Sequence, residues 1–507
     1  KEEAVNAQNL TRERISQGEA AVVEELKKHG MNVTYPARDS FVKKMAPAYE
    51  KVAELAGKDA MDELLAAVKA AQESGEPPTM VMFAIFAGVL VLLLLGVTTA
   101  VTMGFASIAT YLMAGGDAAR LFLVPQRMFA QVSGITLMSI PFFLLMGNLM
   151  SVGGISRSLF GFGRVCLGHL SGGLSNAAIV ACIVMAAMSG SAAACAAGIG
   201  MIAIAEMTRS GYDRAFSCAT IAAGGALGPI IPPSITLILY AGLTQTSVNA
   251  LFAAGALPGV LLGLAFMVWS SYVCHKRGFA KTPRATASER WQAFKDAFWS
   301  LLTPVIVIGG MFAGLFTATE AAAVASFYVA VLGFFVTKTL HLKDIPEILW
   351  NTVEQTAKVM FVIATAGFFQ YVLLYTRIPQ QTIAFVSGTF TSMALVLLII
   401  IAILVIMGCF MEGTAILLIT VPIFVPIAKS FGYDIIQLGI VMCIALAVGV
   451  LTPPVGLNLY VMASITGEKV MAIAKESVGY VLIMIAMAAA TAFIPELSLL
   501  MAGWVQP

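Results

Sequence analysis

The stretch Gly228-Pro229-Ile230-Ile231-Pro232-Pro233-Ser234 recurs 221 residues later as Gly449-Val450-Leu451-Thr452-Pro453-Pro454-Val455. A Gly-Tyr-Asp tripeptide precedes each copy, and in both halves its glycine lies 21 positions before the first proline of the pair. A small polar turn comes earlier still, at residues 189–191 in the first half and 411–414 in the second. Three elements at nearly one offset indicate an internal structural repeat.

The Pro-Pro pairs predict broken helices. A proline pair supplies no backbone N–H donors and cannot continue a helix, so we expect the apolar helices 214–227 and 435–448 to break in mid-membrane. The apolar segment 175–207 turns at Ser189-Gly190-Ser191 and returns, which predicts a re-entrant hairpin. Interrupted backbone is tolerated in lipid only where it packs in protein or lines a wet cavity. The repeated unit therefore marks the functional region, unless the breaks are packing kinks whose neighbouring Ser and Thr side chains satisfy the backbone.

Composition places most of the chain in lipid. Of its 507 residues, 59% are hydrophobic and 11% are charged, against about 25% charged in an ordinary soluble domain. Residues 1–79 carry 11 of the 30 basic and 14 of the 28 acidic side chains. Segments near the length of about 20 residues that spans a bilayer are 80–100, 129–150, 249–273, 299–316, 320–337, 355–375, 392–410 and 475–497. The sequence therefore predicts an all-α polytopic membrane protein with a short soluble helical segment at its N-terminus.

The domain boundaries follow from these patterns. We assign residues 1–79 to the soluble segment and 80–507 to the membrane domain, with repeats at about 129–273 and 355–497. Loop 274–298 is rich in Lys and Arg, which predicts a cytoplasmic location, and our count of spans places Arg120 and Arg127 on that side and residues 1–79 outside. A net charge of +2 without a basic cluster gives no reason to expect a nucleic acid partner.

The repeat also predicts what the site binds. At each hairpin tip and each break, one helix ends and another begins at membrane depth. Carbonyls at helix C-terminal ends attract cations, and helix N-terminal ends attract carboxylates. Paired units of this kind are expected in a secondary transporter with sites near the bilayer midplane.

At these residues the chain resembles the large membrane subunit of tripartite ATP-independent periplasmic (TRAP) transporters. The resemblance covers essentially all of residues 80–507 and includes Ser139-Ile140-Pro141-Phe142-Phe143, Ser189-Gly190-Ser191-Ala192-Ala193, Gly228 to Ser234, Ala254-Gly255-Ala256-Leu257-Pro258-Gly259, Gly314 to Ala321 and Met411-Glu412. It implies a bacterial inner-membrane transporter, not an enzyme, with an elevator mechanism and coupling to Na+. It further implies a small membrane subunit and a periplasmic substrate-binding protein as partners, and a small organic acid such as sialic acid or a dicarboxylate as the substrate.

Residues 1–73 resemble the C-terminal end of a TRAP binding protein, particularly Val22 to Gly30 and Phe41 to Gly57. This departs from the usual pattern, in which the binding protein is a separate chain. An extracytoplasmic location of residues 1–79 suits such a fusion. Without its two substrate-closing lobes, we expect this segment not to bind substrate by itself.

Combining the resemblance with the repeat assigns candidate ligands. For one sodium site we predict Ser189, Gly190, Ser191, Gly225 and Gly228, and for a second Glu412, Gly413, Thr414, Gly449 and Thr452. Glu412 is the sharpest candidate, because a carboxylate within an apolar segment is costly unless it serves a site; the alternative is a helix-end carboxylate in a wet vestibule. Substrate contacts are expected from Ser191 and Thr414, with Ser234 and Asn458 at the starts of the second half-helices.

Other functional classes fit less well. The membrane subunit of a sodium-pumping decarboxylase shares polar tips in mid-membrane, but it needs a catalytic carboxylate and a biotin carrier, and the sequence offers no further sign of them. An intramembrane metalloprotease would need a His-Glu-x-x-His motif, which the sequence lacks. A passive channel would not need two inverted hairpins.

Overall fold

The computed structural model describes Leu92 and residues 97–503, apart from positions 115, 153, 280 and 391. All of residues 1–79, and most of the predicted span 80–100, therefore lie outside the described residues. Two compact units are distinguished, residues 1–75 with 112–123 and residues 76–111 with 124–507. In the described part of the first unit, Asp117 caps a short 3-10 turn, Ala118–Phe122, by accepting a hydrogen bond from the Ala119 N–H.

Every regular element among the described residues is helical. In chain order the helices are α1 (Thr99–Met113), α2 (Leu123–Val132), α3 (Ser139–Val152), α4 (Ile155–Leu167), α5 (Gly173–Ser189), α6 (Ala192–Arg209), α7 (Arg214–Gly225), α8 (Ile235–Thr244), α9 (Val248–Arg277), α10 (Ala287–Phe312), α11 (Ala318–Val336), α12 (Ile345–Tyr375), α13 (Ile378–Thr389), α14 (Met393–Gly408), α15 (Gly413–Ser430), α16 (Ile435–Gly449), α17 (Leu457–Thr466), α18 (Val470–Phe493) and α19 (Glu496–Ala502). Helices α10 and α11 each include one π-helical turn.

Eight described helical segments are long and apolar enough to cross a membrane. The chain is thus an all-α, multi-pass membrane protein, as predicted. The predicted span 129–150 is two elements rather than one: α2 ends at Val132, and a 3-10 turn, Ile135–Met138, leads into α3. Ser133 and Gly134 interrupt the helix there, and residues of low helix propensity favour such a boundary.

The internal repeat is visible in the order of the helices. A hairpin (α5–α6), a broken helix (α7 and α8) and a long helix (α9) recur as α14–α15, α16 with α17, and α18. The predicted breaks are confirmed, with α7 ending at Gly225 and α16 at Gly449. Within the predicted bounds, the repeat includes one further pair of elements, because a 13-residue helix, α4, and a 12-residue helix, α13, immediately precede the two hairpins.

The first halves of the broken helices form the centre of the core. Every residue of α7 from Phe216 to Gly225 is buried, and so is every residue of α16 from Ile436 to Gly449. A helix that is apolar on all sides is buried on all sides. Both helices therefore carry their C-terminal carbonyls into the interior of the protein.

The prediction that Arg127 shares a side with loop 274–298 is wrong. Helices α3 and α12 pack antiparallel, with Asn148 Nδ2 donating to Thr352 Oγ1 at 3.0 Å. The Arg127 guanidinium lies 4.8 Å from the ring centroid of Tyr371, near the far end of α12. At the opposite end, where α4 follows α3, the Thr282 N–H of the basic loop donates to the Gly168 carbonyl. Arg127 and the basic loop therefore lie at opposite ends of the helices, and the placement of residues 1–79 outside the cell stays a prediction.

Candidate functional site

The tip of the first hairpin packs directly on the first break. Gly190 ends α5 in the left-handed conformation, with φ of 60°, which a glycine adopts without strain. A Cβ at this position would lie 2.8 Å from the Pro233 carbonyl oxygen. Gly228, in the break, is equally close to the tip, because its Cβ would lie 2.7 Å from the Ser191 carbonyl carbon. Glycines thus allow the two backbones to touch.

The second hairpin repeats this arrangement with different residues. A Cβ on Gly449 would lie 2.4 Å from the Cα and carbonyl carbon of Gly408, so α14 and α16 meet backbone to backbone. The Val455 N–H donates to the Cys409 carbonyl at 3.0 Å, which ties the second break to the second tip. The sequence analysis did not predict these contacts of Gly408, Cys409 and Val455. Gly449 does correspond to Gly228 by the repeat offset, and this correspondence indicated a close backbone approach here.

The two candidate sodium sites differ in the charge of their tips. At the second tip Glu412 is solvent-exposed and occupies the N-cap position of α15. Its Oε1 accepts a hydrogen bond of 2.9 Å from Thr414 Oγ1. Thr452 donates its hydroxyl to the Val448 carbonyl, so its oxygen retains lone pairs for a further interaction. The first tip offers hydroxyl and carbonyl oxygens in place of a carboxylate.

The second half-helices begin differently, with a side-chain cap at α8 and without one at α17, where Gly456 takes the N-cap position. Ser234 precedes α8, accepts from the Leu237 N–H at 3.3 Å and donates to the Pro229 carbonyl at 2.6 Å. The Asn458 N–H donates to the Val450 carbonyl, which folds the start of α17 back over the break. Ser234 and Asn458 are both fully buried. They lie where the positive ends of α8 and α17 meet the core.

Asn458 joins the two repeats. Its side-chain Nδ2 donates at 2.9 Å to the carbonyl of Ala222, in the last turn of α7. A Cβ on Gly225 would lie 3.0 Å from the same nitrogen, so this glycine makes room for the asparagine. The predicted residues are therefore brought together in two groups. Ser189, Gly190, Ser191, Gly228 and Ser234 form the first and Glu412, Gly413, Thr414, Gly449 and Thr452 the second, with Asn458 and Gly225 between them.

Two buried oxygens in this region have no hydrogen-bond partner among the described residues: Ser189 Oγ and Asn458 Oδ1. The exposed fraction of Ser189 is 2%. Leaving a buried polar atom unpaired costs about 1–3 kcal/mol, so each such atom calls for an explanation. Hydroxyl, amide and carbonyl oxygens are the ligands that hard cations prefer. The donor set at the first tip and break therefore fits an alkali-metal ion.

A cleft that the sequence did not predict lies near the C-terminal end of α12. It measures about 500 Å³ and is lined by Arg127, Gln131, Gln370, Tyr371 and others. A Cβ on Gly367 would lie 2.8 Å from the Arg127 carbonyl oxygen, so α2 packs closely on α12 and fixes the cleft wall. One exposed guanidinium and two amide groups give this cleft donors suited to an organic anion.

Comparison with known proteins agrees with this architecture. Residues 86–497 match the family model described as "Tripartite ATP-independent periplasmic transporter, DctM component". The C4-dicarboxylate TRAP transporter large permease protein DctM of Pseudomonas aeruginosa is 40% identical over 404 residues, which are 80% of this chain and 94% of the relative. The sialic acid TRAP transporter large permease protein SiaM of Vibrio cholerae is 40% identical over 340 residues, or 67% and 80% of the two chains.

A third relative, the isethionate TRAP transporter permease protein DctMQ of Oleidesulfovibrio alaskensis, is 35% identical over 84% of this chain and 66% of its own length. All three are named as transporter permeases, which gives the decarboxylase alternative no support. Two solved structures share the fold: the YdaH transporter of Alcanivorax borkumensis and the efflux pump MtrF of Neisseria gonorrhoeae. Their TM-scores are 0.52 and 0.54, at 16% and 14% identity. The alignments cover 77% and 75% of this chain and 89% and 85% of theirs.

Proposed function

The chain belongs to the family of tripartite ATP-independent periplasmic transporters, as a DctM-type large membrane subunit, and on this premise we propose that it takes up a small organic anion together with Na+. The observation that carries the proposal is the pairing of each hairpin tip with a helix break, with buried unpaired oxygens of Ser189 and Asn458 beside them. Two sites of this kind, one in each repeat, suit a coupled transporter better than a single-site channel.

The substrate class follows from the relatives and from the helix ends. C4-dicarboxylates, sialic acid and isethionate, which the relatives' names specify, are all small organic acids with an anionic group. Helices α6 and α15 begin at the two hairpin tips, and helices α8 and α17 begin after the two breaks. Helix N-termini of this kind stabilise an anion. Ser191 and Thr414 at the tips, with Ser234 and Asn458 at the half-helix starts, are the proposed substrate contacts. Arg127, in the cleft near the C-terminal end of α12, would attract the anion before it reaches them.

Sodium is the proposed coupling ion. Ser189, Gly190 and Ser191 with the carbonyls of Gly225 and Gly228 would hold one ion. Glu412, Gly413 and Thr414 with Gly449 and Thr452 would hold the other. Each set spans a hairpin tip and the break it contacts, so a bound cation would draw the two together. Sodium binding would thereby order the tips first and complete the anion site afterwards, which couples the two solutes through a shared conformation.

The remaining proposals concern movement, partners and location. The short helices α4 and α13 precede the two hairpins and would act as arms on which a hairpin-bearing domain moves as an elevator. A small membrane subunit would complete the permease, and a periplasmic binding protein would deliver the substrate. The location would be a bacterial inner membrane, with residues 1–79 on the outer side.

The test is uptake by the reconstituted transporter. Proteoliposomes containing this chain and a small membrane subunit are supplied with a binding protein and a radiolabelled C4-dicarboxylate, sialic acid or isethionate. We expect uptake of one of these solutes to require both the binding protein and an inward sodium gradient. Equal uptake in potassium buffer without sodium would reject the coupling, and uptake without the binding protein would reject the tripartite mechanism.

A further inference from the structure

Arg290 is half-buried, and two of its guanidinium nitrogens have no partner among the described residues. This residue lies in the first turn of α10, and its Nε and Nη2 atoms are buried without a hydrogen-bond partner in that part of the chain. A guanidinium stays ionised in proteins, so burial cannot be relieved by losing the proton. Leaving such donors buried and unpaired is costly. The expected solution is an anion that the protein itself does not supply.

The carboxylates nearest to Arg290 in the helix are engaged elsewhere. Glu289 turns back to the helix start, where its Oε2 accepts hydrogen bonds from the N–H and the hydroxyl of Thr286. Asp296, further along α10, accepts from the side-chain amide of Gln292 at 3.0 Å. The Glu206 carboxylate, on α6, pairs with Arg164 at 3.0 Å. None of these three carboxylates pairs with Arg290.

The surroundings of Arg290 include a second unpaired polar atom. Helices α4 and α10 pack antiparallel: Ser158 Oγ and Ser300 Oγ lie 3.2 Å apart, and the rings of Phe162 and Phe294 follow one step along, with centroids 6.0 Å apart. Continuing this register places Arg290 beside the last turn of α4, next to the turn that holds His169. The Nδ1 atom of His169 is also buried without a partner among the described residues. The basic loop contacts the same turn, because the Thr282 N–H donates to the Gly168 carbonyl.

Exposed aromatic side chains favour a position of this part of α10 at the membrane surface. Trp291 and Trp299 are 59% and 46% exposed, and the Lys295 ammonium lies 5.6 Å from the ring centroid of Trp291. Tryptophan is enriched where membranes meet water, at the level of the lipid headgroups. Basic pockets between helices on the cytoplasmic side commonly bind anionic headgroups.

We propose that the first turn of α10 and the end of α4 form a site for the phosphate of an anionic phospholipid, held by the Arg290 fork with His169 as a second donor. The planar guanidinium matches two phosphate oxygens. The acyl chains would lie along the exposed aromatic face of α10. A bound lipid would fasten α4, which leads into the first hairpin, to α10. This proposal does not depend on which solute the protein transports.

The test measures lipid retention rather than transport. The full chain is purified in detergent as wild type, Arg290→Gln and Arg284→Gln, and bound phosphatidylglycerol is counted by native mass spectrometry during a lipid titration. Arg284 is the matched control, because it is exposed and belongs to the same basic loop. We expect Arg290→Gln to weaken phosphatidylglycerol binding at least about tenfold, the loss expected for charge-assisted hydrogen bonds, and Arg284→Gln to bind as wild type does. If Arg290→Gln does not fold, Arg290→Lys keeps the charge without the fork and should bind more weakly than wild type.

Three results would overturn the proposal. Equal losses in the Arg290→Gln and Arg284→Gln variants would indicate general attraction by the loop rather than a site. Equal retention of phosphatidylcholine and phosphatidylglycerol would show that the site does not select an anionic headgroup. Inorganic phosphate that raises the melting temperature of the delipidated protein as much as phosphatidylglycerol does would identify a soluble anion as the ligand.

Discussion

Adding one methyl group at Gly449 should selectively impair sodium binding. In Gly449→Ala the new Cβ would lie 2.4 Å from the Cα and the carbonyl carbon of Gly408. Ordinary contacts begin near 3.4 Å, so one of the two backbones must move by about 1 Å. No flexible side chain stands between them to absorb the displacement. The substitution therefore separates the end of α14, beside the second tip, from the second break, across which the proposed ion is held.

The size of the effect can be bounded. Inserting a methyl group into packed protein typically costs about 1–3 kcal/mol. If that cost falls wholly on the state in which tip and break are together, sodium affinity drops by about 5- to 140-fold, at tenfold for every 1.4 kcal/mol. The matched control is Gly388→Ala on α13, outside both proposed sodium sites. A Cβ there would meet nothing within 4 Å.

Two measurements separate site damage from general instability. The first is the sodium concentration that gives half-maximal uptake in proteoliposomes. The second is the melting temperature of the detergent-solubilised protein over a sodium titration, which needs no transport. We expect both to shift to higher sodium in Gly449→Ala and to stay near wild type in Gly388→Ala. A normal sodium dependence in Gly449→Ala, or an equal shift in both variants, would refute the role assigned to this contact.

Three further substitutions test single side chains of the site. Ser189→Ala should raise the sodium concentration required for uptake. Because it removes a buried unpaired hydroxyl, the melting temperature without sodium should stay the same or rise, and a lower melting temperature would mean that the hydroxyl was hydrogen-bonded. Glu412→Gln should weaken sodium binding by about tenfold or more through the lost charge, and unchanged sodium activation of uptake would exclude the carboxylate as a ligand. Asn458→Asp should destabilise the protein by about 1–3 kcal/mol, seen as a lower melting temperature, because its carboxylate cannot donate to the Ala222 carbonyl; a wild-type melt would contradict that bond.

The local chemistry of the repeat allowed its breaks to be predicted. Proline pairs end a helix wherever they occur, and the predicted ends at 227 and 448 are within two residues of Gly225 and Gly449. The hairpin turns were also predictable, because a Ser-Gly-Ser or Glu-Gly-Thr run within an apolar stretch favours a turn. These features depend on a few neighbouring residues, which is why sequence alone was sufficient.

Features that depend on tertiary packing were missed. Helices α4 and α13 are too short to register as membrane spans, so only their position before the hairpins identifies them as part of the repeat. Nothing local to Gly408 indicates that Gly449 lies against it. Arg127 was assigned to the wrong end by the count of spans, whereas its position follows from the packing of α2 against Tyr371 and Gly367.

The bond from Asn458 to Ala222 gives the two repeats a direct mechanical connection. Each hairpin tip contacts the break of its own repeat. If these contacts alone linked the parts of the site, ions bound in the two repeats would act independently. Asn458 begins the half-helix after the second break, yet its amide holds the last turn before the first break. A shift of the second break therefore alters the position of the carbonyls proposed for the first ion. If this bond transmits the coupling, replacing Asn458 with leucine should make the sodium dependence of uptake less cooperative, whereas an unchanged Hill coefficient would leave the two sites coupled through some other route.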